Sequence, residues 1–269
     1  STLAGPNAVS RSLRRDPITL ALWTPLDRAW PRIGDSPFME LSIDTSTRYA
    51  SVALSTRGEV TIELAWRSEQ NHSVEFVSAL RQVMGRANVQ MEHIEAIFIA
   101  NGPGGFSALR VGISVAKALA MAQSIPLVAI GTLDVEAQPY LGLGFPVCAV
   151  IEAGRTKLYA AIYELKERGG GNTGADYRVE SHQGLLSIVP KDTLFCGEAA
   201  HTITDAVREH LGNRSPVIDT PLPSRRPGVL ARLGYRRLQA SGTDDLERLQ
   251  PLYMRGSQFE VAQRSAGQG

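Results

Sequence analysis

The sequence predicts an α/β protein made of two similar halves, each a mixed sheet flanked by helices. Three observations predict it. Apolar and polar residues alternate through Leu41, Ile43, Ala50, Val52 and Leu54, and again through Val60, Ile62 and Leu64. Period two is the mark of strands with two unlike faces. Apolar residues recur at three-to-four spacing over residues 71–88 and 107–123, the mark of helices. Finally, the order of elements before residue 138 partly recurs after it, as expected of a duplicated unit.

Taken in order, residues 1–38 carry Arg, Pro and Ser without periodicity and lack the apolar run of a secretory signal. They read as a disordered extension, with Met39 as the domain start. Residues 39–67 predict a three-stranded antiparallel meander, with Asp44, Thr45, Ser46 and Thr47 as its first turn. The next helix presents Val74, Val77, Leu80 and Val83 or Met84, with Asn71 or Ser73 as cap. "IEAIFIAN" is a buried strand, "NGPGG" a turn, and a helix runs from about residue 107 to 123. "IPLVAIG" predicts another strand and "TLDVEAQPYL" another helix.

In the second half, residues 146–165 predict two strands around a turn at residues 153–156. Residues 166–181 read as a Gly-rich flexible loop, and residues 194–211 as strand, glycine turn and helix. A late helix has Pro227 near its start and Gly242 past its end. The expected organisation is an extension at 1–38, a first subdomain at 39–137, a second at 138–255, and a flexible tail at 256–269.

Composition excludes several classes. Lys and Arg number 28 against 27 Asp and Glu, so bulk charge argues for neither nucleic acid nor membrane. The charge is uneven: from Pro221 onward eight Arg face four acids, a solvated helix face or an RNA contact through Arg225, Arg226, Arg236 and Arg237. Cys148 and Cys196 sit in apolar runs, as buried thiols of a reducing cytosol do. No apolar run approaches the roughly 20 residues of a membrane span, and a cytoplasmic location is expected. The five histidines include no pair four apart, so the helical metal-ligand spacing is missing. No Gly-x-Ser-x-Gly elbow occurs. The Gly102–Gly105 turn lacks the Lys-Ser/Thr of a Walker loop, and Pro103 has no N–H to give an anion.

Three stretches together, "IDTSTRYASVAL", "GPGGFSALRVGISVAKALA" and "LQPLYMR", resemble the TsaB (YeaZ) family of bacterial threonylcarbamoyladenosine biosynthesis. The resemblance spans Met39 to Arg255. The family's usual Gly-Pro-Gly-Ser-Phe-Thr-Gly-Leu-Arg has Gly105, Ser107 and Ala108 at its variable places here. The resemblance implies an actin-like ATPase (RNase H-like) fold and a non-catalytic subunit. Its partner would be a TsaD-like subunit that transfers threonylcarbamoyl to N6 of adenosine 37, and a TsaE-like ATPase would complete the complex. Contact with tRNA would come through that complex, and alone the chain could form a homodimer. Catalytic relatives carry His-x-x-x-His after the strand that follows the Gly-Pro-Gly helix; Thr132 and Glu136 hold roughly those places here. No catalytic residue and no metal ligand is expected.

In actin-like ATPases the first turn lies near the phosphates and magnesium. This makes Asp44, Thr45, Ser46, Thr47, Gly104 and Gly105 the candidate nucleotide residues, for weak or shared ATP or ADP. The competing reading is a turn whose side chains bond their own backbone. A second candidate is the glycine turn at Gly197 and Glu198. The partner surface is expected on two helices: Val74, Val77, Leu80, Arg81 and Met84 on the first, and Ala108, Gly112, Val115, Ala116 and Leu119 on the second. Small residues let another helix approach closely. The competing reading is that these faces pack only on their own sheet. A stand-alone ATPase or a metal-dependent hydrolase are the rival functions.

Overall fold

Two mixed sheets with the same internal order carry the fold, in a computed structural model that describes residues 38–69, 72–165 and 172–254. The first contains β1 (Met39–Asp44), β2 (Tyr49–Thr56), β3 (Glu59–Arg67), β4 (Ile94–Ala100) and β5 (Leu127–Ile130). Their order is β3-β2-β1-β4-β5. The β1–β2 and β2–β3 pairs are antiparallel, while β1–β4 and β4–β5 are parallel. The second sheet contains β6 (Val147–Glu152), β7 (Lys157–Leu165), β8 (Asn172–Ser181) and β9 (Leu194–Cys196), in the order β8-β7-β6-β9. Here too the first strand of the half pairs antiparallel with its hairpin partner and parallel with a later strand. The repeated element order in the sequence is thus a repeated topology.

Helices cover both faces of the first sheet, so β4 is almost continuously apolar, and in β1, which alternates, the polar Glu40, Ser42 and Asp44 are buried as well. Helices α1 (His72–Ala87) and α2 (Phe106–Gln123) pack on one face. Phe76, Ala79 and Val83 of α1 and Ile113, Ala116 and Ala120 of α2 meet Leu41, Ile43, Ile97 and Ile99 there. The opposite face is covered by α6 (Pro227–Ser241), where Leu230 meets Phe98, Val128 and Ile130. Helix α3 (Thr132–Ala137) stands between the sheets. Its Val135 joins the first sheet's cluster, while Leu133 and Ala137 join that of β6. Helices α4 (His182–Ile188) and α5 (Thr204–Leu211) close the outer face of the second sheet around Val150, Leu158 and Ala160. Cys148 and Cys196 lie in different clusters, and burial pushes both thiols up.

Several expectations are corrected. Residues 172–181 form β8 rather than a loop, because Tyr177 and Val179 pair with Ala161 and Tyr159 of β7. The short α4 lacks the length that makes helical periodicity visible. The expected boundary at 138–255 also fails in space: α6 and the segment after it return to the first sheet. Asp244 accepts from Ala129 N at 2.7 Å and donates its own N–H to Leu127 O, while Arg237 bonds Ala129 O and Asp244. These contacts occupy the outer edge of β5, which would otherwise be open to strand pairing. Of the expected caps for α1, Ser73 falls inside the helix, and Asn71 lies outside the described residues. Residues 1–37 and 256–269, with Arg255, lie there too.

Helix α6 approaches β4 closely only because Gly234 has no side chain: a β-carbon there would overlap the Phe98 ring. Phe98 is fully buried and cannot yield. Gly234→Ala is expected to destabilise the fold by about 1–3 kcal/mol through overpacking, read as a lowered urea midpoint at unchanged m-value.

Candidate functional site

Between the two sheets the first-sheet turn, α3 and the glycine turn after β9 meet in a buried polar junction. The turn after β1 closes on itself. Asp44 Oδ1 accepts from Ser46 N at 2.8 Å and from Ser46 Oγ at 2.6 Å. The hydroxyl of Thr45 donates to Ala108 O, tying the turn to α2. Thr132 of α3 donates to Ser46 Oγ at 2.8 Å and accepts from Gly102 N at 3.1 Å. The turn, the Gly102–Gly105 loop and α3 therefore share one hydrogen-bond network.

At its centre is Arg225, whose side chain is 3% exposed. Its Nε donates to Asp44 Oδ2 at 2.7 Å. Its Nη1 reaches Glu198 Oε2 at 2.9 Å and Glu136 Oε1 at 3.2 Å. Its Nη2 donates to Thr47 Oγ1 at 2.8 Å and Tyr49 O at 3.2 Å. One guanidinium thus joins three carboxylates carried by the end of β1, by α3 and by the turn after β9. Thr47 Oγ1 in turn donates to Glu198 Oε2 at 2.8 Å, and Arg48 stands 3.9 Å from that carboxylate. Glu136 also accepts from Ser224 Oγ at 2.7 Å and from Glu198 N at 3.2 Å.

The electrostatics follow from burial. Burial pushes the Glu136 carboxyl above its ordinary value, and Arg225 and the Ser224 hydroxyl only partly oppose it. For Arg225 burial acts to lower the pKa, but the charges of Asp44, Glu136 and Glu198 outweigh it and push the guanidinium up. Arg225 is therefore a permanent internal cation amid three acids.

The candidate nucleotide residues are brought together, but their polar groups are turned on one another. Asp44 has one oxygen on Ser46 and the other on Arg225. Gly105 N donates to Ser46 O at 2.7 Å, and a β-carbon on Gly104 would overlap that same oxygen. The glycines let two backbone segments touch. Gly102 O accepts from Thr132 N at 2.8 Å, anchoring the loop to α3. Glu198, grouped in the sequence only with a weak glycine turn, is a central member of the cluster. Glu136, noticed only as a replaced histidine position, is another. The expectation of Arg225 and Arg237 on a solvated or RNA-facing basic surface is corrected: Arg225 is buried and Arg237 holds the β5 edge. Arg226 pairs with Glu63 at 2.8 Å, and Arg236 is exposed. No local pattern marks Arg225, because its partners lie up to 181 residues away.

The helix faces divide. Val74 and Val77 of α1 are 69% and 43% exposed, Arg81 is exposed, and Leu80 and Met84 are half-buried. Val115 and Leu119 of α2 are half-buried against the same cluster as Leu80 and Met84. Ala108, Gly112 and Ala116, expected to face a partner, are instead buried. A β-carbon on Gly112 would overlap the Thr45 hydroxyl. The small-residue stripe lets α2 sit close on its own sheet and turn. The solvent-facing stripe of α2 runs through Ser107, Arg110, Ser114, Ala118 and Met121.

The two repeated mixed sheets, with a cleft between them, define the class as the actin-like ATPase fold. A YeaZ structure from Pseudomonas aeruginosa shares it, with a TM-score of 0.64 at 24% identity over 80% of this chain and 99% of that one. The family model described as "TsaD: tRNA N6-adenosine threonylcarbamoyltransferase" matches residues 66–211, over half of the chain, and the chain belongs to this family. Its relatives include the tRNA threonylcarbamoyladenosine biosynthesis protein TsaB of Bacillus subtilis, 26% identical over 82% of this chain and 96% of that protein. The Escherichia coli TsaB is 32% identical over 48% of this chain and 56% of its own length. A tRNA N6-adenosine threonylcarbamoyltransferase of Anaeromyxobacter is 38% identical, but over only 39% of this chain and 32% of that enzyme. The resemblance to TsaB is thereby upheld.

Replacing Arg225 by Met is expected to cost about 3–5 kcal/mol, because it strands buried carboxylates; chemical denaturation reads it. A second test uses pH. Glu136, its pKa raised in the folded state, contributes stability that is full below the ordinary carboxyl value and lost as pH rises through the raised one. Glu136→Gln keeps the acceptor and removes the titration. Its melting temperature is expected to match the parent's in acid and to exceed it increasingly as pH rises above the ordinary carboxyl value.

Proposed function

We propose that the chain is a non-catalytic subunit that binds a TsaD-like threonylcarbamoyltransferase and supports N6-threonylcarbamoylation of adenosine 37 in tRNA. The observation that carries this reading is the Arg225 cluster. A cleft that handles magnesium-bound nucleotide needs its acid free for the metal's water shell and its loop amides free for phosphates. Here Asp44 is engaged by Arg225 and Ser46, and Gly105 N by Ser46 O. These residues do not fit a nucleotide of the chain's own. Sequence coverage points the same way. The match to Bacillus TsaB takes in 96% of that protein, whereas the match to the Anaeromyxobacter transferase takes in 32% of that enzyme.

The partner would dock on α1 and α2. Exposed Val74 and Val77 lie over half-buried Leu80 and Met84, beside the weakly charged outer face of α2. Burial of such a face at about 25 cal/mol per Å² of apolar area drives association. Without the partner, the same face serves a homodimer. A TsaE-like ATPase and tRNA join through the assembled complex, with any ATP or ADP shared there. The described residues include no helix long and apolar enough to cross a membrane, in keeping with action in the cytoplasm.

The purified chain alone is expected to show no Mg-ATP turnover and no tRNA modification. Robust turnover that disappears in Asp44→Ala would overturn the reading in favour of a stand-alone ATPase. Val77→Asp is expected to abolish co-purification with the catalytic subunit while leaving the melting temperature unchanged, since Val77 is exposed.

A further inference from the structure

At the start of α2, three side chains form a rigid surface cluster. The Phe106 ring, 49% exposed, stacks on Tyr253 at 4.9 Å between centroids. The Arg110 guanidinium lies 3.9 Å above the Phe106 ring, and its Nε donates to Tyr253 OH at 3.0 Å. Tyr253 is held in place by its neighbour, since Leu252 N donates to Asn101 O at 2.8 Å. The segment before it is pinned as well: Lys117 Nζ reaches Leu249 O at 3.3 Å, and Leu249 packs on the core. The residues after α6 thus form a strap along one side of α2, widening the face that α1 and α2 present.

An arginine oriented in this way is unusual for a surface. Long side chains normally give up rotamer freedom on binding. Arg110 has given it up already, to a ring and a phenol. Among the described residues no carboxylate meets either of its Nη groups. A planar guanidinium fork matches a carboxylate or a phosphate in bidentate geometry. The surroundings choose between them. Nucleic-acid backbones are met by groups of cations. The other charge on α2, Lys117, is already bonded to Leu249 O, and the remaining outward residues are Ser107, Ser114, Ala118 and Met121. A guanidinium set against two aromatic rings, on a helix whose other outward side chains are small or uncharged, has the make-up of a protein–protein hot spot.

The geometry points to Arg110, held by Phe106 and Tyr253, as the polar anchor of the α1–α2 docking face, taking a single Asp or Glu carboxylate of the partner subunit. This rests on the partner-subunit reading above. The anchor fixes the register of the partner along α2, which an apolar face alone leaves loose.

The test is titration calorimetry of the full chain against the purified TsaD-like subunit from the same source. Arg110→Ala is expected to weaken binding by about 30-fold, the scale of a hot-spot arginine. Its own melting temperature should be nearly unchanged, since the contacts of Arg110, with the Phe106 ring and the Tyr253 hydroxyl, lie on the surface. Arg110→Lys keeps the charge but not the fork, and is expected to bind like Arg110→Ala. Val77→Asp serves as control for the face itself. Arg110→Ala binding within twofold of the parent, while Val77→Asp fails, overturns the anchor and leaves the docking face standing. Normal binding by Val77→Asp overturns the docking face. Full rescue by Lys overturns the bidentate assignment. An Arg110→Ala chain that retains the subunit but loses tRNA in the assembled complex makes the acceptor a phosphate and overturns the carboxylate.

Discussion

A single buried guanidinium sets the relation between the two halves of this molecule. Arg225 stands on the segment leading into α6 and holds Asp44, Glu136 and Glu198, one acid from each wall of the cleft. None of the three acids could be buried there without it, since an unpaired buried charge costs several kcal/mol. The cation in turn is held by hydrogen bonds to Thr47 and Tyr49 as well. Such a cluster is weak evidence for stability relative to an apolar replacement, but it is highly specific. Only one arrangement of sheets, α3 and the 221–227 segment brings all the partners into range.

The cluster also connects the cleft to the outer surface. Asp44 orders Ser46, Ser46 O binds Gly105 N, and Thr45 binds Ala108 O at the first turn of α2. The position of α2 on the sheet is thereby tied to the centre of the cleft. The small residues Gly104 and Gly112 make those approaches sterically allowed. The turn thereby helps to seat α2. The outer side of that helix, bordered by α1 and the C-terminal strap, is then left facing solvent.

The fold was largely legible along the chain, and the site was only half so. Alternation in β1–β3 and helical spacing in α1 and α2 report local geometry, because each side chain's burial repeats with the period of its own element. Residues 172–181 escaped notice because glycine and polar residues weaken that period in an edge strand. Asp44 to Thr47 were visible as a polar turn. Their partner Arg225 was not, since nothing local separates a buried arginine from its exposed neighbours Arg226 and Arg236. The stripe of Ala108, Gly112 and Ala116 was visible as a pattern, but a pattern of small residues does not say which neighbour comes close. Thr45 and Ile99 of the same chain do so, and the outward residues lie on the adjacent face.

The sequence by itself determined the class, the order of elements in the first half, the likeness between the halves and the missing histidine pair. All of these are properties of residues close in the chain or of motifs read in one stretch. The tertiary structure alone decided that α6 returns to the first sheet, that the candidate nucleotide acid is neutralised from within, and that Arg110 is fixed by Tyr253. Each of these depends on contacts between residues more than a hundred positions apart. Such contacts are selected by how the sheets, helices and charges pack together, and leave no periodic trace in the chain.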